Sequence, residues 1–171
     1  NGLRQGLAIP FIFSAFASAH HRAWMSYCLY STVALGFHYS SVLILPFAFL
    51  LSFRNPRLIV WSFSAVSIGY ATGVNEILVQ RVSDFMGLPV YSLIKGYAGW
   101  QGPFDGFNLI FFAYSSFWFW LACGITILLK SKINEDFWVF IYLYAALLMP
   151  YFIFGFGPFS NRYAFPAWLF I

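Results

Sequence analysis

Residues 23–53 read AWMSYCLYSTVALGFHYSSVLILPFAFLLSF, an apolar run that is too long for one simple membrane crossing. As a single α-helix the run would measure about 46 Å, whereas the hydrocarbon core of a bilayer is about 30 Å thick. A glycine, a histidine, a tyrosine and a serine interrupt it between Gly36 and Ser40. Whether the chain crosses the membrane once here or turns back at this interruption decides the topology of the whole protein.

The composition surrounding this run is that of an integral membrane protein. The 171 residues are 61% apolar and 8% charged, whereas a soluble domain is about 25% charged. This excludes a disordered tail, a collagen-like fibre and a disulfide-stapled module. Cys28 and Cys123 lie in apolar runs and are expected to be packing residues. The net charge of +4 comes without a basic run or a nucleic-acid motif, so no nucleic-acid partner is predicted.

Apolar stretches outside the run predict an all-α, polytopic transmembrane bundle. We expect further spans at residues 2–19, 58–73, 107–129 and 137–154, with another helix beginning near Tyr163. Residues 74–88 alternate at helical spacing between apolar and polar faces, which predicts an amphipathic helix on the outer leaflet. The following segment, 87–106, is rich in Gly, Pro and Tyr and is either a substrate-facing lid or a simple connection. The whole segment 74–106 is therefore predicted to be an extracytoplasmic loop.

The positive charges favour a chain that turns back near His38. If residues 23–53 crossed once, Arg22 and Arg54 would lie on opposite faces and break the positive-inside bias. If the chain instead turns between Gly36 and Ser40, as a short broken or re-entrant helix pair, the bias is restored. The cations that then share the cytoplasmic face are Arg22, Arg54, Arg57, Lys130 and Lys132. Arg4, His38 and Arg162 come out together near the extracytoplasmic face.

Each of these three residues has a functional and a structural interpretation. The Arg4 guanidinium matches the geometry of a phosphate, but an arginine near a helix end also snorkels to lipid headgroups. His38 can act as an acid or a base, or can be a hydrogen-bonded structural residue. Arg162 precedes a predicted helix that Ser160 or Asn161 can cap, which favours an anion site over an interfacial anchor. The adjacent His20 and His21 have no third ligand nearby, so no metal site is predicted.

Two short motifs, Asn1-Gly-Leu-Arg4-Gln5-Gly-Leu-Ala8 and Phe37-His38-Tyr39-Ser40, resemble those of the EpsG family, which belongs with the Wzy-type O-antigen and exopolysaccharide polymerases. The family pattern Asn-x-x-Arg-Gln-x-x-Ala matches residues 1–8, and Phe-His-x-Ser matches residues 37–40 in order and spacing. The late Asn161-Arg162-Tyr163 fits the closing Arg-rich signature of the family. Since the family's proteins are about twice this length, residues 1–171 are expected to be a single transmembrane domain of a longer protein.

The resemblance implies a multi-pass enzyme of the bacterial inner membrane whose active face is extracytoplasmic. It would join oligosaccharide repeat units carried on undecaprenyl pyrophosphate, with no cofactor and with a chain-length regulator as a possible partner. Fixed cations would stabilise the departing pyrophosphate. The candidate catalytic residues are Arg4, His38, Arg162 and, as the first-ranked carboxylate base, Asp105. The candidate substrate-binding residues are Asn1, Gln5, Tyr39, Ser40, Glu76, Asn161 and Tyr163.

Three other functions remain open at the level of the sequence. A ligase of the O-antigen type would use the same donor with a different acceptor. A non-enzymatic transporter or flippase of lipid-linked sugars would also need cationic and aromatic surfaces, but along a path that opens to both faces. In a structural membrane subunit, Arg4, His38 and Arg162 would simply pair with neighbouring groups.

Overall fold

The structure, a computed structural model, describes residues 2–53, 55–95, 107–129, 135–157 and 161–171. Within these ranges the chain is helical and contains no β-strand, which confirms the predicted all-α class. The helices are α1 (Gly2–His20), α2 (Trp24–Phe37), α3 (Phe49–Ser52), α4 (Pro56–Ala71), α5 (Val74–Met86), α6 (Val90–Lys95), α7 (Leu109–Leu128), α8 (Glu135–Phe154) and α9 (Asn161–Trp168).

A tight turn folds α2 back along α1. Arg22 adopts a left-handed backbone conformation with φ of 58°, and the Ala23 N–H donates to the Ser18 carbonyl at 2.8 Å. This is the hydrogen-bond pattern that closes many helix C-termini. At the other end of the pair, the rings of Phe11 and Phe37 stack with their centroids 5.6 Å apart. The middle of α1 therefore lies beside the end of α2, and the beginning of α1 extends past it.

The chain turns back after α2, which confirms the broken helix pair predicted between Gly36 and Ser40. The Trp24 ring stacks on Phe49 at 5.2 Å, and the Tyr27 hydroxyl donates to the Leu45 carbonyl at 3.1 Å. Arg22 Nη2 donates to the Ser52 carbonyl at 3.0 Å. Both ends of the pair thus lie at the same end of the bundle.

The returning arm differs from the continuous helix expected for it. Tyr39–Leu43 and Leu45–Ala48 form two short 3₁₀ turns, and only Phe49–Ser52 is α-helical. Pro46 has no backbone N–H to donate along an α-helix, and its ring crowds the preceding turn. Tighter 3₁₀ turns accommodate it instead.

A second break separates α4 from α5, whose axes meet at 93°. Gly73 occupies the left-handed conformation that this corner requires, with φ of 75°. The Asn75 amide then donates to the Val66 carbonyl at 2.8 Å and to the Phe152 carbonyl at 2.9 Å. A Cβ at Gly69 would overlap the Asn75 side chain, so the glycine makes room for this contact.

The core forms around α8. Buried side chains line α8 from Ile141 to Phe152, whereas α7 leaves Tyr114, Phe117 and Trp120 exposed. Among the described residues, α7 and the segment Phe137–Phe154 are long and apolar enough to cross a membrane, and α4 with α5 would add a third span if the bent pair counts as one. The predicted span over α1 stays a prediction.

These contacts define two ends of the bundle. The pocket end holds the beginning of α1, the break at His38, α5, α6 and the beginning of α9. The opposite end holds Arg22, Ser52 and the beginning of α4 with Arg57. The structure thus separates Arg22 and Arg57 from Arg4, His38 and Arg162. That the two ends face opposite sides of a membrane stays a prediction. Arg54, Lys130 and Lys132 lie outside the described residues.

Candidate functional site

A cavity of about 280 Å³ opens at the pocket end, between the His38 break, α6 and the beginning of α9. His38, Tyr39, Ser40 and Arg162 bring polar and charged groups to what is here called the polar wall, and α6 contributes an aliphatic wall. The residues that line it are His38, Tyr39, Ser40, Val42, Leu43, Val90, Leu93, Ile94, Gly157, Arg162 and Tyr163. The helix break therefore forms part of the wall of a cavity.

The local backbone places His38 at the cavity. Its N–H still donates to the Ala34 carbonyl at 2.9 Å, and its own carbonyl accepts from the Ser41 N–H at 3.0 Å. Between these two bonds the His38 backbone is extended, with φ of −148° and ψ of 107°. The helix stops at this residue, and Tyr39 and Ser40 follow it along the cavity wall.

The His38 imidazole has an unused hydrogen-bonding atom. Its Nε2 is buried and has no hydrogen-bond partner within the part of the chain that the structure describes. His38 itself lies in the connection between two helices, outside the membrane-length helices. Burial and the nearby positive charge of Arg162 lower the pKa of His38. The imidazole is therefore neutral near pH 7, which leaves one ring nitrogen able to accept a proton.

Arg162 supplies the positive charge of the cavity. It lies in the first turn of α9, where the helix dipole also favours an anion. The Gln5 amide donates to the Arg162 carbonyl at 2.8 Å, so the beginning of α1 holds the beginning of α9. Asn161 is the first residue of α9, and Ser160, the other predicted cap, lies outside the described residues.

The second predicted arginine lies near the cavity but does not line it. Arg4 is exposed in the first turn of α1, directly before the Gln5 that bonds to Arg162. The structure thus brings His38, Tyr39, Ser40, Arg162 and Tyr163 into one cavity. Arg4 lies outside that cavity wall, at the same end of the bundle.

The aliphatic wall was not foreseen from the sequence. Residues 87–106 were expected to form a loop, yet Val90–Lys95 forms α6, which contributes Val90, Leu93 and Ile94 to the cavity. Their i, i+3, i+4 spacing is the signal of a helix face, and Pro89 is well placed to begin one. Because the helix has only six residues and lies in a segment rich in Gly, Pro and Tyr, this spacing was not recognised as helical.

Glu76 has partners on this new helix. Its Oε1 lies 2.8 Å from the Lys95 Nζ and accepts the Tyr91 hydroxyl at 3.2 Å. Glu76 does not line the cavity, so its predicted role in substrate binding stays a prediction. Asn1 and Asp105, two other predicted site residues, lie outside the described residues.

Comparison with protein families places the whole chain in one family. The EpsG family model matches residues 1–171. The chain belongs to the EpsG family. This is a family of Wzy-type polymerases, so the EpsG chain is a membrane protein of the exopolysaccharide or O-antigen polymerase type. No curated protein and no solved structure matches the chain.

The EpsG motifs recognised in the sequence meet at the pocket end. Gln5 of the first motif bonds to the backbone of Arg162 in the last motif, and His38 of the middle motif shares the cavity with Arg162. Three stretches far apart in the chain thus converge on one cavity. Such convergence is what a site, as opposed to three separate structural roles, requires.

Proposed function

We propose that this EpsG protein polymerises oligosaccharide repeat units linked to undecaprenyl pyrophosphate. The reaction would take place at the extracytoplasmic face of the bacterial inner membrane, where the pocket end would lie. One observation carries the proposal: His38 and Arg162, distant in sequence, line the same cavity. A neutral proton acceptor and a fixed cation are the two groups that this transfer needs.

In the proposed reaction a sugar hydroxyl of one repeat unit attacks the anomeric carbon of another. The new glycosidic C–O bond forms, and the bond from the anomeric carbon to the pyrophosphate oxygen breaks with its electron pair on that oxygen. Negative charge therefore grows on the pyrophosphate as it leaves. The Arg162 guanidinium and the N-terminus of α9 stabilise that charge more in the transition state than in the ground state.

His38 is proposed to take the proton that the attacking hydroxyl loses. The imidazole is neutral and its Nε2 is buried and without a partner among the described residues. General base catalysis of this kind contributes about 10²–10⁴-fold to a rate. Asp105 remains a second candidate for the base, and His38 would then orient the sugar.

Arg4 is proposed to bind the distal phosphate of the donor. It is exposed at the pocket end beside the residue that bonds to Arg162. Because a guanidinium binds a phosphate through two parallel N–H donors, lysine is a poor replacement. An Arg4→Lys variant that makes polymer of normal length would remove Arg4 from the mechanism and leave Arg162 in it.

The decisive experiment incubates the purified full-length protein with purified lipid-linked repeat units in detergent or in vesicles. Polymer with release of undecaprenyl pyrophosphate is the expected result. Transfer of a single unit to a lipid A core acceptor would identify a ligase. Movement of intact donor across vesicles without a new glycosidic bond would identify a transporter.

The proposed sidedness has its own test. Single cysteines at Tyr39 and Arg57, in a protein without Cys28 and Cys123, are labelled in intact cells by a membrane-impermeant thiol reagent. The Tyr39 position is expected to react from outside, and the Arg57 position only after the membrane is opened. Labelling of both from one side would contradict the proposed placement of the pocket end.

A further inference from the structure

The aliphatic wall of the cavity is formed by a helix that cannot hold itself in place. Helix α6 has only six residues, and isolated helices shorter than about 12 residues are marginal in water. Leu93, at its centre, is 56% exposed. The position of α6 must therefore be set by contacts with neighbouring elements.

Helix α5 supplies the polar contacts that hold α6. Glu76 Oε1 contacts both Lys95 Nζ at 2.8 Å and the Tyr91 hydroxyl at 3.2 Å. The Ser83 hydroxyl oxygen accepts the Tyr91 N–H at 3.0 Å. Burial and the charge of Glu76 raise the pKa of Tyr91, so its hydroxyl stays a donor to the carboxylate. Glu76 thus contacts α6 near both of its ends, at Tyr91 and at Lys95.

The residue before Glu76 is itself fixed in the core. Asn75 is buried and donates to backbone carbonyls of α4 and α8. Glu76 therefore projects from a rigid point of the bundle. Ile94, on the side of α6 that faces the cavity, meets Gly157 closely enough that a Cβ there would lie 2.6 Å from the Ile94 carbonyl oxygen.

We propose that Glu76 is a positioning residue of this site: through Lys95 and Tyr91 it holds α6 as the aliphatic wall of the cavity. It acts on the fit of the lipid-linked substrate and leaves the chemical step to the groups on the polar wall. The proposal rests on the proposed function for its kinetic test, but the contact itself can be tested without activity.

The kinetic test reverses the charges of the pair. Glu76→Lys and Lys95→Glu each place two like charges together, and each is expected to raise KM for the lipid-linked repeat unit about three- to tenfold with kcat within about twofold. The double variant Glu76→Lys with Lys95→Glu restores an ion pair and should recover most of the loss. Arg81→Glu, a charge reversal at an exposed position of α5, is the matched control and should leave KM unchanged.

A labelling test needs no substrate. In a protein with Cys28→Ser and Cys123→Ala, a cysteine replaces Ile94, which is 6% exposed. Its reaction with a small maleimide is expected to be several-fold faster when Glu76→Lys is added, and slow again in the charge-swapped double variant. The Arg81→Glu control should not accelerate it.

The outcomes separate the two proposals. If the unaltered protein makes no polymer but Ile94→Cys labelling responds to Glu76 and to the swap, the function is wrong and the positioning role stands. If polymer forms, yet Glu76→Lys changes neither KM nor labelling, the positioning role is overturned. A fall in kcat alone, without rescue by the swap, would also overturn it.

Discussion

The two helix breaks at the pocket end differ in whether their polar side chain is hydrogen-bonded within the protein. At the corner between α4 and α5, both amide hydrogens of Asn75 reach carbonyl oxygens, and Gly69 makes room for the side chain. At the break after α2, the buried Nε2 of His38 has no partner among the described residues and the imidazole lines a cavity. The first break is a structural joint whose amide donors are satisfied, whereas the second leaves a polar atom available to a ligand.

The largest expected effect on activity comes from a substitution at the His38 break. His38→Asn keeps a polar side chain but removes the proton acceptor, so the rate of polymer synthesis should fall about 100-fold or more. Thermal unfolding of the purified protein should barely change, because the buried Nε2 has no partner among the described residues that the substitution could remove. A large fall in unfolding temperature would make His38 a structural residue and erase the contrast with Asn75.

Asn75→Ala should give the reverse pattern. Two buried carbonyl oxygens lose their amide donor and a cavity opens beside Gly69, which costs about 2 kcal/mol of stability. The measurement is thermal unfolding in detergent, with Gln80→Ala, an exposed change on the same helix, as the control. An unfolding temperature equal to that of the control would contradict the view of the corner as a structural joint.

A smaller effect is expected where the loop after α8 meets α6. Gly157→Ala places a Cβ 2.6 Å from the Ile94 carbonyl oxygen, so α6 must shift, at a cost of about 1 kcal/mol. Polymer yield at low substrate should fall with it. Gly124→Ala, whose Cβ meets nothing within 4 Å, should be neutral or slightly stabilising. Equal behaviour of the two variants would argue against close contact between Gly157 and α6.

The smallest effect is on the pH profile. Because burial and Arg162 lower the pKa of His38, the neutral imidazole persists below the ordinary histidine value of about 6.5. Activity should be constant near neutral pH and decline only as the pH falls through that lowered pKa. His38→Asn should abolish this decline in the residual activity. A decline centred above pH 6.5 would show that another group titrates.

Of the two breaks, the sequence could predict the one at His38 but not the contacts that hold the one at Asn75. The break at His38 was predictable because a run longer than a bilayer, with arginines at both ends, must turn back to keep them on one face. The same turn puts Arg4, His38 and Arg162 near one face, so the residues of the pocket end were predictable as well. The finding that His38 and Arg162 share a cavity, with Arg4 outside its wall, needed the folded chain.

Tertiary contacts decide the parts that the sequence did not reveal. The alternation in residues 74–88 predicted α5, but nothing in it indicated that Asn75 is buried, because the partners of Asn75 belong to other helices. Helix α6 is too short for a clear period, and its position depends on Glu76. In the returning arm, Pro46 and the packing of Tyr27 against Leu45 replace an α-helix by 3₁₀ turns.

The most direct test of the central claim, that the cavity at the His38 break is where the lipid-linked donor reacts, compares two arginines at opposite ends of the bundle. Arg162→Lys and Arg57→Lys are purified and incubated with lipid-linked repeat units, and polymer is measured together with released pyrophosphate-lipid. Arg162→Lys should lose about 100-fold in rate because it loses the bidentate grip on the leaving phosphate, whereas Arg57→Lys should match the unaltered protein. Polymer of normal length and rate from Arg162→Lys would contradict the claim.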